Sequence, residues 1–286
     1  MSRRIFDSAE FRSLYHAWYK NTLIRRRILE YFKEREVMFK CENFPRKTTR
    51  TIQIRDGKQF DFWRRVLEKD DTYYYNMYYS LATWKKLPFW DVKNWKKTGF
   101  DKWYSERHEH MKTYDFLIDV DAPDEGKIMK TYEETKRIKA FFDRFDVPYY
   151  LRFSGTGFHF VIPYDRLGVD MSFNTADDDN IFRFKKDFLK YLADMFNYVD
   201  ESAHDSMRVV KVPYSLAVYD NRVTTCFPFT SHEHFLSFDM GMTKPENVLS
   251  RRKRDLKGDC FFLFNDNWRT KGKNRCVDAF RYLGML

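Results

Sequence analysis

Two carboxylates stand one residue apart at the end of an apolar run, Phe-Leu-Ile-Asp-Val-Asp at residues 116–121. Side chains alternate between the faces of a strand, so Asp119 and Asp121 would point the same way and the apolar residues the other. Like charges this close are costly to bury unless cations neutralise them, so the pattern favours a divalent metal site. Residues 121–124 also have the composition of a solvated turn, which is the alternative interpretation of this motif alone.

A glycine-rich turn and a basic segment offer groups that bind phosphate. Residues 154–159 read Ser-Gly-Thr-Gly-Phe-His, and such a turn can present backbone N–H groups and hydroxyls to a triphosphate, with His159 beside them. Arg208 and Lys211 could add positive charge, although strict alternation places them on opposite faces unless a bulge intervenes. The turn by itself is also typical of a plain hairpin tip.

The elements that must position these residues follow in the order β-α-β-β-α-β. The sequence predicts a strand over 114–121, a helix near 132–145 opened by a capping box at 131–134, strands 149–154 and 158–162, a helix near 181–197, and a strand over 208–212. This order is typical of the ferredoxin-like, or RNA-recognition-type, module, in which the fourth strand pairs with the first. Four polar groups would then meet at one edge of the sheet: Asp119, Asp121, His159 and Asp200.

The composition bounds the partners. Lys and Arg number 52 against 42 Asp and Glu, and the net charge of +10 favours a polyanion such as nucleic acid. The aromatic share of 19% suits base stacking as well as core packing. No run approaches the ~20 apolar residues of a membrane span, and the Arg-rich start lacks a signal peptide's apolar core. We therefore expect a soluble protein inside the cell, in the cytoplasm, without a membrane partner.

The cysteines give no sign of a structural metal or a disulfide framework. They stand at positions 41, 226, 260 and 276 without paired spacing, which indicates reduced thiols. Cys226 with His232 and His234, or His108 with His110, could hold a metal, but histidines in polar segments are more often surface residues.

Taken in order, these motifs resemble those of the archaeo-eukaryotic primase superfamily, and the primase small catalytic subunit in particular. The signatures are hydrophobic-Asp-x-Asp at 117–121, Ser-Gly-x-Gly-x-His at 154–159, hydrophobic-Asp at 199–200, and a basic segment at 208–216 that ends in Pro-Tyr-Ser-Leu. Residues 14–19, 35–39 and 78–80 are similar to the start of that subunit. The resemblance covers about residues 10–225.

The resemblance implies a role for each matching residue. The metal and catalytic triad would be Asp119, Asp121 and Asp200, with Asp205 as the rival third carboxylate, and the metals would be Mg²⁺ or Mn²⁺. The incoming nucleotide would be bound by Ser154, Gly155, Thr156, Gly157, His159, Arg208, Lys211 and Arg35. Two metals about 3.5–4 Å apart would activate the attacking hydroxyl and steady the leaving pyrophosphate.

Two departures from the family pattern change these expectations. Primase small subunits usually carry a zinc knuckle between the first two signatures, but residues 121–149 contain no cysteine or histidine, so we expect no zinc. The His-Gly-Lys that often follows Pro-x-Ser-Leu is replaced by Ala-Val-Tyr at 217–219, which makes Asn221 or Arg222 the possible substitutes.

The resulting expectation is an α+β primase-type core in which a helical and mixed N-terminal module packs on a ferredoxin-like βαββαβ module. Residues 1–286 would form one catalytic domain, divided into an N-terminal α/β module (1–113), an RNA-recognition-like catalytic module (114–225) and a C-terminal extension (226–286). It would be a DNA primase or primase-polymerase that joins NTP or dNTP on a single-stranded DNA template, with a primase large subunit as a further possible partner. The alternatives are a gap-filling end-joining polymerase and a non-catalytic module that binds single strands.

Overall fold

The computed structural model describes residues 8–41, 48–67, 75–87, 89–91, 96–167, 178–219, 222–250, 263–265 and 275–285. The basic run at 251–254, Cys260 and Asn221 lie outside the described residues. Within these ranges, none of the helices combines the length and apolar character that crossing a membrane requires.

The N-terminal half combines short helices with a four-stranded antiparallel sheet. Its elements are α1 (Ala9–Lys20), α2 (Thr22–Glu30), β1 (Val37–Cys41), β2 (Thr48–Ile52), α3 (Gly57–Leu67), β3 (Tyr75–Ser80), β4 (Ala82–Trp84), β5 (Phe89–Asp91), β6 (Lys96–Thr98), α4 (Phe100–Ser105), α5 (Arg107–His110) and β7 (Met111–Tyr114). Ser8 caps α1 by accepting from the Phe11 N–H at 3.0 Å, as a serine before an apolar helical stripe predicts. Trp18 on the buried face of α1 donates to the Tyr214 carbonyl at 2.9 Å, which ties the helix to a distant part of the chain.

The C-terminal half contains the second four-stranded sheet. Its elements are β8 (Phe116–Asp121), α6 (Ile128–Arg144), β9 (Tyr150–Phe153), β10 (Gly157–Ile162), α7 (Tyr164–Leu167), α8 (Asp178–Met195), β11 (Val209–Lys211), β12 (Leu216–Tyr219), β13 (Arg222–Thr225), β14 (Phe227–Pro228), α9 (His232–Leu236), α10 (Pro245–Ser250) and α11 (Arg275–Tyr282). The sheet has the order β14-β9-β10-β8, and the predicted hairpin around the glycine turn is present as β9 and β10.

Helices α6 and α8 cover the apolar face of this second sheet. Phe142 of α6 packs edge-on against Phe160, with ring centroids 5.3 Å apart, and Phe188 of α8 contacts Phe116. Ile118 and Val120 are completely buried on the same face. The alternation of β8 therefore leaves Asp119 and Asp121 on the opposite face, which looks toward the first sheet.

A strand is present within the predicted range 208–212, but its predicted pairing with β8 is wrong. This strand, β11, pairs antiparallel with β3 and completes the first sheet in the order β11-β3-β1-β2. The place beside β8 is taken by Val199, which forms a single antiparallel bridge with Val120. Turns within residues 200–208 then redirect the chain, and Val210 finds its burial against the first sheet instead.

Two element boundaries also differ from the prediction. The helix predicted near 132–145 begins earlier, at Ile128, after a 3₁₀ turn at Glu125–Lys127. The predicted capping box is wrong, because the Thr131 hydroxyl bonds back to the Lys127 carbonyl while the Glu134 carboxylate accepts from the Asn197 N–H at 2.7 Å. The strand predicted over 114–121 is broken at Asp115, whose side chain is used elsewhere.

An ion pair joins the two halves at that break. Arg35 donates to the Ser80 and Leu81 carbonyls at 2.8 and 2.7 Å and lies 2.6 Å from Asp115 Oδ2. The other oxygen of Asp115 accepts from the Tyr164 N–H at 3.0 Å. Both side chains are largely buried, so without these contacts the guanidinium and the carboxylate would lie between the sheets without partners.

We expect Arg35→Met to lower the free energy of unfolding by about 3 kcal/mol, because it leaves the Asp115 carboxylate buried without a cation. Arg26→Met is the matched control, since Arg26 is 78% exposed and 3.7 Å from Glu30 and should change stability by about 0.5 kcal/mol or less. Urea unfolding monitored by tryptophan fluorescence measures both. Equal losses of unfolding free energy in the two variants would contradict a stabilising role of the Arg35–Asp115 ion pair.

A buried amine lies under the second sheet. Lys185 of α8 is fully buried, and its Nζ lies 3.1 Å from the Tyr114 hydroxyl, which in turn donates to the Asp205 carbonyl at 2.6 Å. Within the described ranges, no carboxylate comes within ion-pair distance of Lys185. Burial lowers the pKa of Lys185 well below 10.5, and Arg208 adds to this while Asp205, Asp115 and Asp119 oppose it.

We expect Lys185→Met to raise the free energy of unfolding at pH 7 by about 1–3 kcal/mol, because the variant avoids the cost of removing the Lys185 amine from water on folding. The wild type should gain stability as pH rises toward 10.5, since the unfolded chain binds the Lys185 proton over a range where the folded chain does not. The advantage of the variant should therefore shrink between pH 7 and 9 in urea titrations. A difference that stays constant with pH would contradict this assignment.

Candidate active site

The register of the second sheet places Asp119 at the centre of a polar row. His159 of β10 is its direct cross-strand partner, and His159 Nε2 lies 3.2 Å from Asp119 Oδ1. On the other side, the Asp200 N–H donates to the Asp119 carbonyl at 2.8 Å, and the Asp121 N–H donates to the Tyr198 carbonyl at 2.9 Å. Asp200 thus lies beside Asp119 as a strand neighbour would, although only a bridge is formed.

The electrostatics of this row reflect crowded negative charge. Burial, together with the nearby charges of Asp119 and Asp200, raises the pKa of Asp121 to about 7. Burial also acts to raise the pKa of Asp119, but the contact with His159 and the charge of Arg208 outweigh it and keep that carboxylate ionised. Burial lowers the pKa of His159, so its imidazole is neutral near pH 7. The edge therefore holds more negative charge than its own groups can balance.

The glycine turn is closed on itself next to these carboxylates. The Ser154 hydroxyl accepts from the Gly157 N–H at 3.1 Å, and the Ser154 N–H donates to the Gly157 carbonyl at 2.8 Å. Gly155 has φ +112°, a conformation that suits glycine, and its carbonyl accepts from Arg222 at 2.8 Å. Arg222, one of the two substitutes considered for the missing His-Gly-Lys, therefore stabilises the turn through its backbone.

A basic wall from the first sheet faces the carboxylates across a cavity of about 450 Å³. The lining residues include Met38, Lys40, Tyr78, Asp119, Asp121, Ser154, Thr156, His159, Asp205, Arg208 and Lys211. Arg208 precedes β11 rather than belonging to it, so strict alternation does not separate it from Lys211, and both reach the cleft. The cleft thus pairs acids from one sheet with cations from the other.

Sequence reasoning missed the part of the cleft that β1 and β3 supply. Met38 and Lys40 alternate onto the cleft face of β1, and Tyr78 lies opposite Met38 in the register of β3. The Lys211 ammonium sits 5.3 Å from the centre of the Tyr78 ring. The available signal was the alternation Met-Phe-Lys at 38–40, which is too short to interpret without knowing which strand faces the acids.

The remaining candidates occupy different places. Arg35 does not reach the carboxylate cleft, because its guanidinium is held by Asp115 and two carbonyls. Asp205 lies at the rim, 56% exposed, whereas Asp200 is fixed beside Asp119 by backbone pairing. Of the two, Asp205 is among the residues that line the cavity, and Asp200 is not. Arg208 contacts both.

The alternative metal clusters do not form. Cys226 donates to the Lys211 carbonyl, His232 Nδ1 lies 2.7 Å from Lys139, and His234 Nδ1 lies 2.9 Å from the Thr230 hydroxyl, so the three point to separate partners. Across the part of the chain that the structure describes, no three His, Cys, Asp or Glu side chains are arranged to hold a metal ion. The row of Asp119, Asp121 and Asp200 nevertheless fits Mg²⁺ or Mn²⁺ chemically, because it offers carboxylate oxygens at an edge with excess negative charge.

Comparison with known proteins supports the fold. No protein-family model matches the sequence, and no curated protein matches it. Among solved structures, the polymerase domain from Mycobacterium tuberculosis Ligase D in complex with DNA aligns with 94% of this chain and 93% of its own, with a TM-score of 0.52 and 14% identity. The α+β fold class is thereby confirmed as that of this polymerase domain; at this identity the likeness shows the fold and nothing finer.

We expect Gly157→Ala to destabilise the protein by about 3 kcal/mol, because its Cβ would lie 2.2 Å from the Val120 carbonyl and 2.9 Å from Asp121 Cα. Neither backbone atom can yield without disturbing β8 beside the acidic row. Gly126→Ala is the control, since its nearest neighbour is the Asp124 carboxylate at 3.2 Å, which can turn away. Thermal melts that ranked the two variants equally would contradict this packing.

Proposed function

We propose that this chain is a template-dependent nucleotidyltransferase that joins nucleotides on single-stranded DNA, acting as a primase or primase-polymerase. The observation that carries the proposal is that Asp119 and Asp121 face Lys40, Arg208 and Lys211 across one cleft, with Asp200 held beside Asp119 by backbone pairing. Acids on one wall suit divalent metal, and cations on the other suit the phosphates of a nucleotide. The DNA in the related polymerase-domain structure and the net charge of +10 support a nucleic-acid partner.

Each wall has a distinct task in this proposal. The three carboxylates would hold Mg²⁺ or Mn²⁺, which when bound would activate the attacking hydroxyl and neutralise charge on the leaving group. The nucleotide phosphates would meet the turn and the basic wall, formed by Ser154, Gly155, Thr156, Gly157, His159, Arg208 and Lys211, with Lys40 added from β1. His159, neutral near pH 7, can donate one hydrogen bond without adding charge to the site. Whether a primase large subunit takes part stays a prediction of the sequence resemblance.

A second function in the same enzyme class is favoured by one observation. One matching solved structure is a polymerase domain of a ligase, in complex with DNA, and the match covers nearly the whole chain. A gap-filling polymerase would use the same acids and the same basic wall. It differs from a primase in requiring an existing 3′ end.

We expect Asp119→Asn to reduce nucleotide incorporation by about 10³-fold or more while the fold is kept, because the side chain keeps its size and loses its charge. Asp124→Asn is the matched control, since Asp124 lies just beyond β8, is 55% exposed and pairs with Lys127. Incorporation is measured on a single-stranded template with Mg²⁺ or Mn²⁺, and circular dichroism checks the fold. Full activity of Asp119→Asn would overturn the proposal, as would equal loss in the control.

The same assay separates the candidate functions when its substrates are varied. A primase forms products on an unprimed template, whereas a gap-filling polymerase forms them only on primed or gapped DNA. Parallel reactions with NTP and dNTP sets establish the sugar preference. Tight single-strand binding that ignores Mn²⁺ and survives Asp119→Asn, without any incorporation, would instead identify the non-catalytic binding module.

A further inference from the structure

Arg208 bridges two carboxylates at the edge of the candidate active site. Its Nη2 lies 3.2 Å from Asp200 Oδ2 and 3.0 Å from the Ser202 hydroxyl, and its Nε lies 3.5 Å from Asp205 Oδ2. One guanidinium thus serves an acid of the proposed metal row and an acid of the rim. The side chain of Arg208 is 25% exposed, so these contacts are only partly screened by water.

The backbone around Arg208 is held in place from several sides. The Arg208 N–H donates to the Asp205 carbonyl at 3.2 Å, and the Arg208 carbonyl accepts from the Leu81 N–H at 3.1 Å. The Asp205 carbonyl also accepts from the buried Tyr114 hydroxyl at 2.6 Å. Arg208 can therefore change partners by turning its side chain while residues 205–208 stay where they are.

We propose that Arg208 is a resident counter-ion which a divalent metal must displace from Asp200, and that Asp205 is the positioning residue that retains it after displacement. The inference rests on the proposed function, because it takes Asp119, Asp121 and Asp200 as the metal row. Without metal, the guanidinium offsets part of the crowded negative charge at this edge. When a metal takes Asp200, the guanidinium keeps Asp205 and turns toward the cleft, where phosphates would lie.

This arrangement predicts opposite effects on metal and on nucleotide. Arg208→Gln should bind Mn²⁺ about tenfold more tightly than the wild type at pH 8, because a competing cation is gone from Asp200. The same variant should bind nucleotide more weakly. Arg208→Lys keeps the charge and should stay close to the wild type in Mn²⁺ affinity. Free Mn²⁺ is measured by electron paramagnetic resonance on the full chain without DNA or nucleotide, and circular dichroism checks the fold.

A double variant determines whether Asp205 acts through Arg208 or touches the metal itself. Asp205→Asn should weaken Mn²⁺ binding about threefold, because the guanidinium then resides wholly on Asp200. In the Arg208→Gln background the same change should have no effect, since there is no guanidinium left to retain. An undiminished loss in that background would identify Asp205 as a metal ligand and overturn its role here. Mn²⁺ affinity that is unchanged or weaker in Arg208→Gln would overturn the counter-ion itself.

Failure of this proposal is distinguishable from failure of the proposed function. If the wild type binds no Mn²⁺, or if Asp119→Asn leaves Mn²⁺ binding unchanged, the metal row and the proposed function fail together. If Mn²⁺ binding depends on Asp119 but not in the expected sense on Arg208, only the counter-ion assignment fails. Asp205 is a half-exposed rim residue, so Asp205→Asn should fold and keeps the test decisive even where Arg208→Gln does not.

Discussion

The excess of negative charge at one edge of the second sheet is the constraint on which the rest of the site depends. Strand alternation and the Val120–Val199 bridge bring Asp119, Asp121 and Asp200 together. Because the site is partly buried, water solvates these charges only incompletely. The fold answers with cations brought from outside that sheet: Arg208 from the following loop, and Lys211 from a strand of the other sheet. The exchange of β11 into the first sheet is what makes this possible, because a fourth strand beside β8 would have left the opposite wall of the cleft without Lys211.

Local patterns in the sequence correctly predicted the parts of the fold that depend on residues close together along the chain. The alternation of residues 116–121 predicted which face of β8 is apolar, and the glycine turn predicted the hairpin that sets His159 opposite Asp119. The predictions that were wrong or missing concern contacts between residues far apart along the chain. Nothing in residues 208–212 states whether they pair with β8 or with β3, because an apolar residue such as Val210 suits the buried face of either sheet. The cleft position of Lys40 and the role of Arg35 likewise follow from the packing of two sheets rather than from spacing along the chain.

The two walls of the cleft belong to different sheets, so their separation also depends on contacts remote from the acids. The Arg35–Asp115 pair holds the end of β3 against the break between β7 and β8, four residues before Asp119 along the chain. Its three charge-assisted or carbonyl contacts are directional, which suits a fixed distance better than apolar packing would. A residue that resembles a ligand-binding arginine in sequence thus affects the site through geometry.

The charge balance of the cleft also bears on the order in which ligands can enter. The lining contains the carboxylates of Asp119, Asp121 and Asp205 against Lys40, Arg208 and Lys211, so without metal its charge is close to neutral. A triphosphate arriving alone would add negative charge beside Asp121, whose pKa is already raised by burial and by the charges of Asp119 and Asp200. A divalent metal arriving alone must compete with Arg208 for Asp200. In the proposed function, the carboxylates would hold the metal and the guanidinium would hold the phosphates, so each ligand would remove the obstacle that faces the other. By linkage, metal and nucleotide then strengthen each other's binding by the same factor.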